Sequence, residues 1–154
     1  MATVIDINDR QRRLRLDRDG IVALARWVLE REGRRGGELS LLFTNNARIR
    51  ELNRRYLGRD YPTDVLTFPQ QESAPAPLPG GLLGDVAIST ERVISQCRRY
   101  RQGPGDELAL CVIHGILHLT GWEDHPEAAR EEMRRREESL LKAWKRRRKW
   151  SLIK

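Results

Sequence analysis

All three histidines of the chain, His114, His118 and His125, fall within one short run, HGILHLTGWEDH. On a helix, a separation of four residues turns the chain by about 400°, so the first two imidazoles project from one face within reach of one cation. Gly121 lets the chain leave that helix in a conformation that a side-chain residue resists, and His125 can then swing back as a third donor. Three donors leave one position of a tetrahedral zinc open, which marks a catalytic rather than a structural site. Water there ionises near neutral pH, so hydrolysis is the chemistry suggested.

A lone histidine on an apolar face is more often a core residue satisfied by a neighbouring carbonyl. The i, i+4 pair, the glycine exit and the third histidine together favour the metal. In HExxH metalloproteases a glutamate follows the first histidine as general base, but here that position is Gly115, which argues against peptide hydrolysis. Glu123, Asp124 and Glu127 can serve as a second shell or a base; helix capping is the expected role of Asp124. Cys111, three residues before His114, reads as a small buried residue. With Cys97 it forms no CxxC pair, so neither a disulfide framework nor a thiolate site is expected.

The rest of the composition bears on the partner. Lys and Arg number 29 against 22 Asp and Glu, a formal +7 dominated by Arg, whose planar fork suits phosphate. A polyanion such as RNA is favoured over a neutral ligand. No apolar run approaches the ~20 residues that span a bilayer, and MATVIDINDRQRR lacks a secretory stretch, so a cytoplasmic protein without membrane attachment is expected. No oligomeric state is assigned.

The elements that must position the histidines follow from periodicity. Strands are expected at Thr3 to Ile7, Glu38 to Phe43, VLTF (65–68) and LLGDVAIS (82–89). Helices are expected from an Asp17 or Asp19 cap through Leu29, from a Thr44 or Asn45 cap through Tyr56 with Ile49, Leu52 and Tyr56 on one face, and from Thr90 to about Arg101. After GPGD, Glu107 to Leu119 forms a strongly apolar helix carrying two of the histidines. Pro126 opens the last helix, which runs to Trp150 with Ala129, Met133, Leu140 and Trp144 near one stripe. Gln70 to Gly81, rich in Pro and small residues, reads as a loop. At 154 residues one domain is expected over 1–154, with a basic C-terminal tail at about 143–154. In that tail, KAWKRRRKWSLIK, Trp144 and Trp150 can stack on bases, or the helix end frays with Trp144 in the core.

HGILHLTGWEDH, ELNRRYLGRDYPTDVLTFP and LLGDVAIS, in this order along Glu38 to Leu141, resemble the YbeY family of bacterial single-strand-specific endoribonucleases. The resemblance implies an α+β fold, a small mixed sheet of about four strands packed with helices, and a metal site on a central HxxxH helix. It implies one Zn2+ per chain, RNA or ribosomal particles as partner, and a role in rRNA maturation (16S rRNA 3′-end processing) and ribosome quality control. His114 and His118 carry over as zinc ligands. The family's third histidine stands ten residues after its first; here Asp124 has that spacing and His125 follows it, so His125 is the expected third ligand and Asp124 the alternative. The family's Arg after the Tyr of LNxxYR, implied to meet the RNA backbone, is Leu57 here. Arg54, Arg55 and Arg59 are the nearby candidates, with Arg59 preferred.

Two routes are open in such a site. Water attacks the phosphodiester, or the neighbouring 2′-hydroxyl does, leaving a 2′,3′-cyclic phosphate. Asp64 and Asp85, beside strand-like runs, receive no catalytic role. The rivals are a non-catalytic RNA-binding ribosome-assembly factor with structural zinc, and a zinc metalloprotease.

Overall fold

The periodicities resolve into four strands and five helices in a computed structural model that describes residues 3–58, 65–69, 82–147 and 151–154. In chain order these are β1 (Val4–Asp9), α1 (Arg18–Arg31), β2 (Glu38–Thr44), α2 (Asn46–Leu57), β3 (Val65–Pro69), β4 (Leu82–Ser89), α3 (Thr90–Arg99), α4 (Pro104–Leu119) and α5 (Glu127–Arg147). The strands form one mixed sheet in the order β1-β2-β4-β3. β1, β2 and β4 run parallel, and β3 pairs antiparallel with β4 at the edge. The α+β architecture is the one expected.

Strand alternation sorts the sheet into two faces. Leu39, Leu41 and Phe43 of β2 and Val86 and Ile88 of β4 join one large core with α1, α4 and α5. Ala87, on the opposite face, packs instead with Leu66, Ile49 and Leu52, beneath α2. α4 sits at the centre, touching β3, β4, α1, α3 and α5, with Leu108, Val112, Ile113, Ile116 and Leu117 fully buried. Its apolarity nearly all round is what a helix enclosed on several sides requires.

Gly115 explains how close α4 comes to the sheet. A Cβ built there would lie 2.5 Å from Val86 Cγ1 and 3.1 Å from Val86 Cγ2, so the helix backbone rests directly on β4. The position after His114 therefore faces the sheet, away from the imidazoles. A glutamate general base of the HExxH kind has no room there.

Several boundaries differ from expectation. α4 begins at Pro104, not Glu107, because proline fits the first helical turn and Gly103 takes the cap position. α5 begins at Glu127; Pro126 lies before it, its carbonyl accepting the amides of Ala129 and Arg130. Asn45 caps α2 through Arg48 N (2.9 Å), and Asp17 caps α1 through Gly20 N (3.2 Å). Tyr56 does not join the apolar face of α2: it is exposed, its ring edge-on to Phe68 at 5.6 Å.

The described end of the basic tail, residues 151–154, also departs from a frayed end. Leu152 is buried, Asp17 N donates to its carbonyl (2.9 Å), and Lys154 N donates to Arg15 O (2.8 Å). Gly20 accommodates this return, since a Cβ there would stand 2.0 Å from Ser151 O. Trp144 is buried against Trp27 with ring centroids 5.4 Å apart, which removes it as a base-stacking platform. Trp150 and the loop 70–81 lie outside the described residues.

Candidate metal centre and its cleft

The last two turns of α4 carry His114 and His118 on one face, and their rings meet edge to face with centroids 4.5 Å apart. Their Nε2 atoms approach to 3.1 Å. Two nitrogen donors at ~2.0–2.1 Å from a tetrahedral zinc stand about 3.3 Å apart, so the pair is already spaced for one shared ion. Two imidazole lone pairs facing each other repel unless a proton or a cation lies between them, so the pair is joined by an N–H···N hydrogen bond or by a shared ion.

Each ring is held from behind. Glu137 of α5, only 16% exposed, takes the Nδ1 side of His114 through Oε1. With Nδ1–H donating to that carboxylate, Nε2 keeps its lone pair for a cation, the arrangement in which ligating histidines are usually fixed. His118 is hydrogen-bonded to the main chain of Trp122. Burial, and then the charge of His114, lower its pKa below the ordinary imidazole value against the opposing pull of Asp124 and Glu137. A neutral imidazole is the form that binds metal.

Beyond α4 the chain turns at Gly121, whose φ of 107° favours glycine. Trp122 N donates to Leu117 O (3.0 Å), and its indole Nε1 donates to Glu32 Oε1 (2.6 Å). Glu32, 7% exposed at the end of α1, also accepts from Arg136 of α5 at 2.7 and 3.2 Å. One carboxylate thus joins α1, the histidine loop and α5.

Asp124 and His125 follow on this loop. Asp124 Oδ2 is 3.9 Å from His118 Nε2, and its Oδ1 is 4.0 Å from His125 Nε2. Rather than capping α5, Asp124 stands between the two histidines. The imidazole of His125 is 94% exposed. Among the described residues no three His, Cys, Asp or Glu side chains are gathered around one point, so the expected three-histidine cluster is assembled only in its helical half. The physical reason is local: His114 and His118 share a rigid helix, whereas His125 sits in the solvated turn before α5.

A cleft of about 440 Å³ opens over this centre, lined by His114, Asp124, His125, Arg130, Met133, Arg134 and Glu137. Arg54 and Arg55 are exposed in the last turn of α2, on the other face of the sheet, and line no part of it. Arg59 and Asp64 lie outside the described residues, and of Leu57 only the backbone is described. Asp85 stands in the cross-strand row Asp6–Ser40–Asp85–Phe68, away from the cleft. Cys111 and Cys97 are buried and unbridged. Sequence reasoning missed Glu32, Arg130, Arg134 and Glu137. The spacing of 130, 133, 134 and 137 on one helical face was the available signal for three of these, and nothing local marks Glu32.

Comparison with known proteins bears on what this centre does. The profile of the YbeY family, described as Endoribonuclease YbeY, matches residues 6–145. The chain belongs to the YbeY endoribonuclease family. It is accordingly an enzyme, a hydrolase of the endoribonuclease class. Relatives called Endoribonuclease YbeY include those of Alkaliphilus metalliredigens, 35% identical over 92% of this chain and 95% of its own length, and Bacillus mycoides, 33% identical over 94% and 97%. That of Desulfitobacterium hafniense is 44% identical over 68% of this chain and 69% of its own. The solution structure of TM1509 from Thermotoga maritima is similar at a TM-score of 0.58 and 25% identity, covering 92% of both chains. The family is generally one of metalloenzymes, and an RNA substrate follows from its activity. Among the described residues no helix is long and apolar enough to cross a membrane.

Proposed function

We propose that this chain is a zinc-dependent, single-strand-specific endoribonuclease of rRNA maturation, cutting RNA in the cleft over His114 and His118. One observation carries the reading: two Nε2 atoms directed at each other across 3.1 Å, in a chain of an endoribonuclease family. One zinc per chain is held by these two nitrogens and a third donor from the loop. His125 is assigned that place. Asp124 is the alternative, favoured by its present 3.9 Å distance from His118. When bound, zinc supplies Lewis acidity toward water and phosphoryl oxygen.

The chain's own residues prepare that chemistry. Glu137 keeps the proton of His114 on Nδ1, and the Trp122 main chain orients His118. Burial lowers the pKa of His118, which favours its neutral form. Arg54 and Arg55, outside the cleft lining, meet the RNA strand away from the bond that is cut, and Arg59 is assigned to the phosphate. Two unbridged buried cysteines suit the reducing cytoplasm where rRNA is processed.

The test is metal content by elemental analysis of wild type and of the His114→Ala, His118→Ala double variant, beside cleavage of a single-stranded RNA. About one zinc per chain, lost together with cleavage in the variant, is expected. A variant that cuts as well as wild type would sink the assignment.

A further inference from the structure

The cleft over His114 presents an electrostatic problem for its substrate. Two of its lining side chains, Asp124 and Glu137, are carboxylates, and an RNA phosphate brought to the imidazoles must face both. Charge of the opposite sign in the same cleft comes from α5. Arg130 and Arg134 stand one helical turn apart, and Glu137, clamped to His114, lies three residues beyond Arg134 on the same face. The clamp holds this face of α5 against His114, and Arg130 and Arg134 line the same cleft as that imidazole.

The present partners of these arginines are weak. Arg130 makes no ion pair among the described residues. Arg134 approaches Glu131 at 3.9 Å and Glu138 at 3.6 Å, with Arg134 and Glu138 each 67% exposed. Charge-assisted hydrogen bonds of this kind measure ~2.7–2.9 Å, so these are loose, solvated pairings. A phosphate offers two oxygens in the geometry that a guanidinium fork matches, and it can displace them at little cost.

We propose that Arg130 and Arg134 form the phosphate-binding side of the cleft, holding the RNA backbone against the His114–His118 centre and offsetting Asp124 and Glu137. This inference rests on the cleft being where RNA is cut. It places the phosphate contact nearest the imidazoles on the first half of α5, in addition to the contact made by Arg54 and Arg55 at the end of α2. Charge developing on the phosphoryl oxygens in the transition state then meets two donors already in place.

The experiment compares wild type, Arg130→Ala with Arg134→Ala, the matching double Lys variant, and Arg135→Ala. Arg135 lies about 100° further round the helix from Arg134 and outside the cleft lining, so it serves as the control. Each protein is loaded with zinc, its zinc content and unfolding temperature are measured, and two assays follow. One is binding of a single-stranded 2′-O-methyl oligoribonucleotide across a salt series. The other is single-turnover cleavage of the unmodified strand.

The double Ala variant should keep its zinc and its fold and bind RNA at least tenfold more weakly. Each phosphate contact on a single strand contributes about 0.7 to the slope of log affinity against log salt, so that slope should become shallower by about 1.4. The double Lys variant should retain most of the slope but not the cleavage rate, because ammonium keeps the charge and loses the fork. Arg135→Ala should match wild type. A zinc-loaded double Ala variant with wild-type affinity, slope and rate would overturn the proposal. The metal reading fails separately, if removal of His114 and His118 leaves cleavage intact; the binding assay still judges the arginines in that case.

Discussion

The two halves of the proposed metal centre are built differently. His114 and His118 ride on a helix buried on several sides, pressed onto Val86 at Gly115 and braced by Glu137. Asp124 and His125 ride on a turn, 51% and 94% exposed, tied back mainly through Trp122 and Glu32. The helical half is spaced for an ion before any ion arrives. On the proposed reading the ion draws Asp124 or His125 in from solvent, so binding should stabilise the protein by linkage. Preorganisation here comes from packing against rigid elements, and adaptability from a turn held by few bonds.

Five substitutions test that contrast, and the first should have the largest effect. Glu32→Ala leaves the Trp122 indole without its acceptor and Arg136 without its carboxylate. Discounted for the partial exposure of Arg136, the loss should be about 3 kcal/mol by denaturant unfolding. Metal-loaded cleavage should fall as well, because the loop loses its anchor. Unchanged unfolding would mean that the loop is held by something else.

Gly115→Ala attacks the helical half. Crowding Val86 costs ~1–3 kcal/mol, against roughly 1 kcal/mol gained in helix propensity. Net destabilisation of up to about 2 kcal/mol is expected, with zinc content reduced as α4 lifts from the sheet. A stabilised variant would show that the contact on Val86 yields more easily than two methyls at 2.5 and 3.1 Å suggest.

Glu137→Gln keeps the shape of the brace but not its charge. Zinc affinity in a competition titration should fall about tenfold, ~1.4 kcal/mol, with little change in the unfolding of the metal-free protein. Affinity equal to wild type would free His114 from any dependence on α5.

The smallest effect on the bare fold belongs to Asp124→Ala and His125→Ala, each under ~0.5 kcal/mol without metal. Their difference should emerge only with zinc, as loss of the rise in unfolding temperature that the metal confers. Whichever loses more of that rise identifies the third donor. If neither does, the loop half is no part of the ligand set and the comparison collapses.

Much of this was legible along the chain because it depends on local spacing. The i, i+4 imidazoles, the Gly121 turn, the caps at Asp17 and Asn45, and the strand alternation of LLGDVAIS are read within a few residues and reappear in the structure. Pro104 shows the limit of such reading. GPGD looks like a break, yet a proline in the first turn of a helix costs nothing.

By itself, the sequence determined the two-histidine face, the glycine that ends its helix, the element types and the family. The tertiary structure decided the rest. That Glu137 braces His114, that Glu32 reaches Trp122 across ninety positions, that Gly115 exists for Val86 and that the tail returns to Arg15 and Asp17 all join distant segments. Backbone periodicity is a local property, set by a few neighbouring residues. Which surfaces meet depends on the packing of the whole core, and a single chain of letters carries no direct record of it.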